Sequence, residues 1–163
     1  MRYAEITKCE LSNGNDVGVS LYVQGCPLHC NGCFNPSTWD FSSGKEWNQE
    51  TENILFNLIN HPYVKRISVL GGEPLAPTNR DDVTILIKKI KLLFPDKELW
   101  IYTGYNFENI KSLEVLKYIH VLVDGAFHIE EKDLSLAFRG SKNQRIIDVK
   151  ETLETGELCL WRV

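Results

Sequence analysis

Four short apolar runs, each closed by a turn and all but the last followed by a helical stripe, constrain the fold of this chain most. Val19-Ser20-Leu21-Tyr22-Val23 alternates with β-branched and aromatic residues, while Ile67–Leu70, Leu99–Tyr102 and His120–Val123 are nearly continuous in apolar character. Between them the period changes. Thr51, Ile54, Leu55, Leu58 and Ile59 fall at helical spacing, as do Val83, Leu86, Ile87, Ile90 and Phe94, with His61-Pro62 and Pro95 as stops. A shorter helix fits from Phe107 to about Lys117. This strand–loop–helix order predicts an α/β fold with a mainly parallel sheet and helical crossovers. Strands covered on both faces have no reason to alternate with polar residues, which fits their composition. At 163 residues the chain is too short for an eight-fold β/α barrel, which takes about 250. A partial, open β/α barrel forming a single domain over 1–163 is therefore expected. Residues 1–18, with Asn13-Gly14-Asn15-Asp16, read as an irregular or hairpin-like lead-in, and the region after Phe127 has room for one or two further units.

Composition excludes several classes of function. Eighteen Lys and Arg against 22 Asp and Glu leave a net charge of −4, so no basic excess points to nucleic acid. No apolar stretch approaches the roughly 18 residues that a membrane helix requires. Met1-Arg2-Tyr3-Ala4-Glu5 contains no apolar signal core. A cytoplasmic protein is expected. In a reducing compartment, five cysteines with three of them inside eight residues suggest a metal rather than disulfides.

Those three stand in Gly25-Cys26-Pro27-Leu28-His29-Cys30-Asn31-Gly32-Cys33-Phe34, directly after the first strand. Thiolates at x3 and x2 spacing on one loop can converge on a soft-metal centre. A 4Fe-4S cluster usually takes four cysteines, so three would leave one iron open unless Cys9 or Cys159 fills it. The alternative is structural zinc, for instance Cys3His with His29, although such sites usually pair separated Cys-x2–4-Cys knuckles. His29 by itself reads as a loop residue rather than a ligand. The other conspicuous residues, Gly71-Gly72-Glu73-Pro74, Thr103-Gly104-Tyr105 and Asp124-Gly125, also close strands, at the sheet end where such folds place their functional loops.

Cys-x3-Cys-x2-Cys after the first strand resembles the radical S-adenosylmethionine (SAM) superfamily. Cys33-Phe34-Asn35-Pro36-Ser37-Thr38-Trp39, Gly71-Gly72-Glu73-Pro74, Trp100-Ile101-Tyr102-Thr103-Gly104-Tyr105, Val123-Asp124-Gly125 and Arg139-Gly140-Ser141 narrow this further. Together they resemble the activating proteins of the anaerobic ribonucleoside-triphosphate reductase, from about residue 10 to about residue 150. One departure is that Gly32, not an aromatic residue, precedes the third cysteine, and Phe34 follows it. The resemblance implies that Cys26, Cys30 and Cys33 hold a 4Fe-4S cluster whose open iron chelates SAM. It also implies reductive cleavage of SAM to a 5′-deoxyadenosyl radical, which takes a hydrogen atom from a glycine of the reductase large subunit. A low-potential donor such as a flavodoxin or ferredoxin would supply the electron.

Within that resemblance each candidate residue acquires a role. Gly72 lets the ligand approach the backbone, and Glu73 holds the SAM ammonium by a charge-assisted hydrogen bond. Gly32 and Phe34 border SAM, and Asp124 orients ligands or binds a cation; an ordinary Asp-Gly turn is the plainer reading of that pair. Thr103 and Gly104 lie near the site. Arg139, Lys142 and Arg145 form either a segment covering the site or facing the partner, or a solvated loop. Trp39 and Trp47 read as interface anchors or core. Two other readings stand beside this one. The first is another small radical SAM enzyme, whether a different glycyl-radical activase or one acting on a small molecule. The second is a non-enzymatic zinc or electron-transfer module.

Overall fold

A computed structural model describes residues 1–163. Its strands are β1 (Arg2–Glu10), β2 (Gly18–Val23), β3 (Lys45–Glu46), β4 (Arg66–Gly71), β5 (Glu98–Tyr102), β6 (Val121–Asp124) and β7 (Arg145–Asp148). The helices are α1 (Gln49–Ile59), α2 (Arg80–Leu93), α3 (Phe107–Ile110) and α4 (Val149–Thr155). All strands join one open seven-stranded sheet in the order β3-β1-β2-β4-β5-β6-β7. Three of the six neighbouring pairs, β2–β4, β4–β5 and β5–β6, are parallel, and the flanking pairs are antiparallel. The α/β class and the parallel centre are as expected. The sheet is open as expected, but it is mixed rather than mainly parallel, since both of its flanks pair antiparallel.

The alternation of side chains across the sheet explains both of its faces. Val19, Leu21, Val23, Ile67, Val69, Leu99, Ile101, Leu122 and Ile147 point to one side. There they pack with Leu55 and Ile59 of α1 and with Val83, Leu86, Ile87 and Ile90 of α2. Side chains at intervening positions face the other way. Trp100, Val121, Val123 and Ile146 form a smaller cluster there with Phe138 and Trp161. No helix covers this second face; irregular segments do. The chain has no helix long and apolar enough to cross a membrane.

Three elements depart from the sequence reading. The first part of the lead-in is a full strand, β1, paired antiparallel with β2 through two register shifts, while residues 11–17, with the Asn13-Gly14-Asn15-Asp16 turn formers, are irregular as expected. The helix expected from Phe107 to Lys117 is the single turn α3 and a separate 3-10 turn at Glu114–Lys117, because Leu113 takes an extended backbone between them. After Phe127 there is one further strand–helix unit, β7–α4, within the one or two expected, but β7 runs antiparallel to β6. Residues 125–144 form a strap across the helix-free face, with one 3-10 turn at Ile129–Glu131.

Candidate functional site

The parallel strands β2, β4, β5 and β6 end at the same edge of the sheet, and their following loops surround a cavity of about 440 Å3. Cys26, Cys30 and Cys33 line it together with Phe34, Gly72, Glu73, Thr103 and Gly104. Deeper in, Asn13, Tyr22, Leu70, Tyr102 and Val123 form its floor, and Phe127, Phe138 and Arg139 of the strap close one side. The cysteines and the Glu73 turn, far apart in sequence, thus face one space.

Local backbone chemistry builds this arrangement. β4 ends in Gly71 at φ +103°, where a Cβ would stand 2.8 Å from the backbone of Tyr22 and Val23. A Cβ on Gly72 would lie 2.5 Å from the carbonyl oxygen of Gly25. Both glycines are therefore required by close backbone approach at the end of β2. The N–H of Gly72 donates to the carbonyl of Val23 and that of Glu73 to the carbonyl of Gly25, both at 2.8 Å. The cysteine loop is fastened further along, where the Gln24 amide donates to the carbonyls of Ser37 and Asp40. His29 sits at φ +48° with its ring stacked 4.4 Å from that of Trp39.

Glu73 is 1% exposed. Its Oε1 accepts from the Leu75 N–H at 2.9 Å and the Thr103 hydroxyl at 2.7 Å, and its Oε2 from the Gly104 N–H at 2.7 Å. A carboxylate has roughly four acceptor positions, so Oε2 keeps one free on a cavity-lining group. Burial pushes the carboxyl up to about 7. The donors from Gly104, Thr103 and Leu75 and the charge of Arg80 act in the opposite direction.

Between the ordinary 4.5 and about 7, folded Glu73 keeps a proton that the unfolded chain has lost. Its contribution is fully present below that window and disappears as pH rises through it. Glu73→Gln, neutral throughout, should therefore gain on the parent chain by about 3 kcal/mol between pH 4 and pH 8 in urea unfolding without cofactor. A difference between the two that does not change with pH would mean that Glu73 ionises normally.

The remaining candidates occupy distinct places. Gly32 lies at φ +74° with its α-carbon face against Ile129, whose Cδ1 would be 2.7 Å from a Cβ there. Phe34 packs on Phe127 of the strap at 5.0 Å between ring centroids, with the Lys132 ammonium 5.3 Å from its centroid. Asp124 is fully buried. Its carboxylate accepts from the Phe107 N–H at 2.7 Å and from Arg145 at 2.6 and 3.0 Å. It is not among the residues that line the cavity. The basic group divides: Arg139 lines the cavity, Lys142 reaches towards Asp133 at 3.8 Å in solvent, and Arg145 bridges Asp124 and Glu108. Trp39 belongs to the cavity wall, and Trp47 packs edge-on to Tyr3 against the core.

All five cysteines are free thiols. Cys9 is exposed beside Tyr63, and Cys159 is bonded among Thr155 and Glu157 near the C-terminal end; neither lines the cavity. No three His, Cys, Asp or Glu side chains converge on a single-ion position. A thiol donor set on one loop suits a polynuclear iron–sulfur centre, whose ligands sit on separate irons. His29 stacks flat on an indole beside that set. Sequence reasoning missed Asn79, whose buried amide reaches the carbonyls of Gln24, Gly25 and Glu73. Asn at that place, just before an amphipathic helix, is a common residue for capping, so the sequence carries no distinct signal of its contacts.

Comparison with known proteins gives one consistent picture. Residues 12–147 match the family described as a 4Fe-4S single cluster domain. The chain is 40% identical over 148 residues to the anaerobic ribonucleoside-triphosphate reductase-activating protein of Enterobacteria phage T4, covering 90% of this chain and 93% of that one. It is 38% identical over 148 residues to the protein of that name from Escherichia coli (strain K12), covering 88% and 96%. The Vibrio cholerae protein of the same name is 38% identical over 150 residues, covering 90% and 97%.

Proposed function

The chain belongs to the family of anaerobic ribonucleoside-triphosphate reductase-activating proteins, and we propose that it is a radical SAM activase that installs a glycyl radical on the large subunit of that reductase. The observation that carries this reading is the meeting of three cysteines and a buried carboxylate on one cavity. Cys26, Cys30 and Cys33 would hold a 4Fe-4S cluster, and Glu73 would receive the ammonium of SAM at the free acceptor position of Oε2. A buried carboxylate whose ionisation is penalised gains most from a cation beside it, so the donor set fits the ligand. Held there, the cluster would supply the electron for reductive cleavage of SAM, the chemistry needed to take a hydrogen atom from the reductase glycine.

The chain's own residues then bind, orient and exclude water. Thr103 and the Gly104 N–H hold the Glu73 carboxylate towards the cavity. Gly72 brings backbone to its wall, and Gly32 and Phe34 brace the cysteine loop on Ile129 and Phe127 at the border of the SAM site. Asp124 orients that border indirectly, by fixing the start of α3 and Arg145. An open sheet leaves part of the cavity for a protein partner to cover, which suits a glycine carried on a polypeptide better than a diffusible metabolite. The reading takes 1–163 as one cytoplasmic domain, reduced by a flavodoxin or ferredoxin.

The test is anaerobic. Reconstituted protein, SAM, a reductant and purified reductase should together give a glycine-centred doublet in the electron paramagnetic resonance spectrum, and omission of any component should remove it. Cleavage of SAM with an intact cluster but no radical on a competent reductase would transfer the assignment to a small-molecule radical SAM enzyme. A colourless, zinc-loaded protein would make it a non-enzymatic module.

A further inference from the structure

Asn79 directly precedes α2, yet its side chain makes no capping bond and its own backbone is already helical. The side chain is buried and turns back towards the site. Its Nδ2 lies 3.0 Å from the carbonyl oxygen of Glu73, 3.2 Å from that of Gln24 and 3.4 Å from that of Gly25. One amide group, with two hydrogens, is thus shared among three carbonyls. Two belong to the strand end that launches the cysteine loop and one to the Glu73 turn. Beside it two consecutive backbone hydrogen bonds join the same chain segments, Gly72 N–H to the Val23 carbonyl and Glu73 N–H to the Gly25 carbonyl, both at 2.8 Å. They lie along one line between the paired backbones, an axis about which the loops beyond can still hinge. A further attachment, offset from that line and anchored at the start of a helix, opposes the hinging.

We infer that Asn79 is a positioning residue whose amide holds the cysteine loop and the Glu73 turn at a fixed separation and angle. A ligand that must touch both loops depends on that register, because a misplacement of about 1 Å is enough to lose productive geometry. That this ligand is SAM rests on the function proposed above; the brace itself does not. Asn79 touches neither the cavity ligand nor the reacting atoms, and acts through the two loops that do.

Asn79→Asp separates the brace from a helix cap. The two side chains are nearly isosteric and equally good caps, but at pH 8 a carboxylate offers only acceptors to three carbonyls. In the full chain without cofactor, amide hydrogen exchange at Glu73 and at Cys26, whose N–H donates to the Trp39 carbonyl, should accelerate about ten-fold, the worth of roughly one lost hydrogen bond. Exchange at Val69 and Ile101 in the sheet should stay as in the parent. After anaerobic reconstitution, iron and sulfide per chain should be unchanged while the SAM dissociation constant rises about ten-fold. Should Asn79→Asp fail to fold, Asn79→Ser, which keeps a capping oxygen and loses the reach, carries the same comparison. Unchanged exchange at Glu73 and Cys26 in a folded variant overturns the assignment. If the parent itself binds no SAM, the proposed function fails while the exchange result still decides the brace.

Discussion

Alanine at Cys26, Cys30 or Cys33 should in each case yield a folded chain that retains no stable 4Fe-4S cluster and no activity. These three thiols line one cavity, and in the proposed centre each holds a separate iron, so no neighbour can stand in for a lost one. Cys9 and Cys159 are held elsewhere, one beside Tyr63 on β1 and the other near the C-terminal end, and alanine there should spare both cluster and activity. Burial pushes the Cys26 thiol up, opposed by hydrogen bonds from the backbone of Leu28 and His29. Ligand thiols must be deprotonated, so assembly should release protons and proceed faster towards alkaline pH. Iron and acid-labile sulfide per chain, with the brown absorbance, measure all five variants. Loss of the cluster in Cys9→Ala or Cys159→Ala would mean a fourth protein ligand and no open iron for SAM.

The parallel centre is legible in the sequence because its strands carry apolar runs, each followed within two residues by a glycine that turns the chain into a functional loop. The antiparallel flanks are not. β1 is half-exposed and broken by two register shifts, and Cys9 stands at φ +53° next to the second. β3 has two residues and β7 four, too few for a periodicity to register. Their pairing comes from neighbours supplied by the fold rather than from local preference. The site divides in the same way. The cysteine spacing and the Gly-Gly-Glu-Pro turn are local patterns, and they meet as expected. Gly32, Phe34 and Asp124 owe their surroundings to Ile129, Phe127 and Arg145, which lie far along the chain. Asn79 is hidden for a different reason: its position carries a commoner meaning, the helix cap, that the structure leaves unused.

Replacing Arg66 by Met should cost about 2–4 kcal/mol of folding stability, because a fully buried guanidinium is the donor to several loop carbonyls and to the partly buried Glu10 carboxylate. Arg66 begins β4 and is fully buried on the helix-free face. Its Nε donates to the Asn15 carbonyl at 2.9 Å, Nη1 to the Asn13 carbonyl at 2.8 Å and to Ser68, and Nη2 to the Glu10 carbonyl at 3.0 Å. The same nitrogen meets the Glu10 carboxylate at 3.3 Å. Glu10 in turn accepts from the backbone N–H groups of Ser12 and Asn13. A Cβ on Gly14 or Gly18 would stand 2.5 Å from the Arg66 side chain, so the 10–18 segment is wrapped closely around this guanidinium. That segment places Asn13, whose amide donates to the Tyr22 hydroxyl at 2.9 Å and which lines the cavity floor. Met preserves much of the volume and leaves the Glu10 charge and several loop carbonyls without their donors. Urea unfolding of the chain without cofactor measures the loss. Lys150→Ala, which removes a solvent-exposed partner 4.0 Å from Glu154, should leave the midpoint in place. Equal midpoints for Arg66→Met and the parent would show that the cavity floor stands without this charge, and that packing of the sheet alone holds the 10–18 segment.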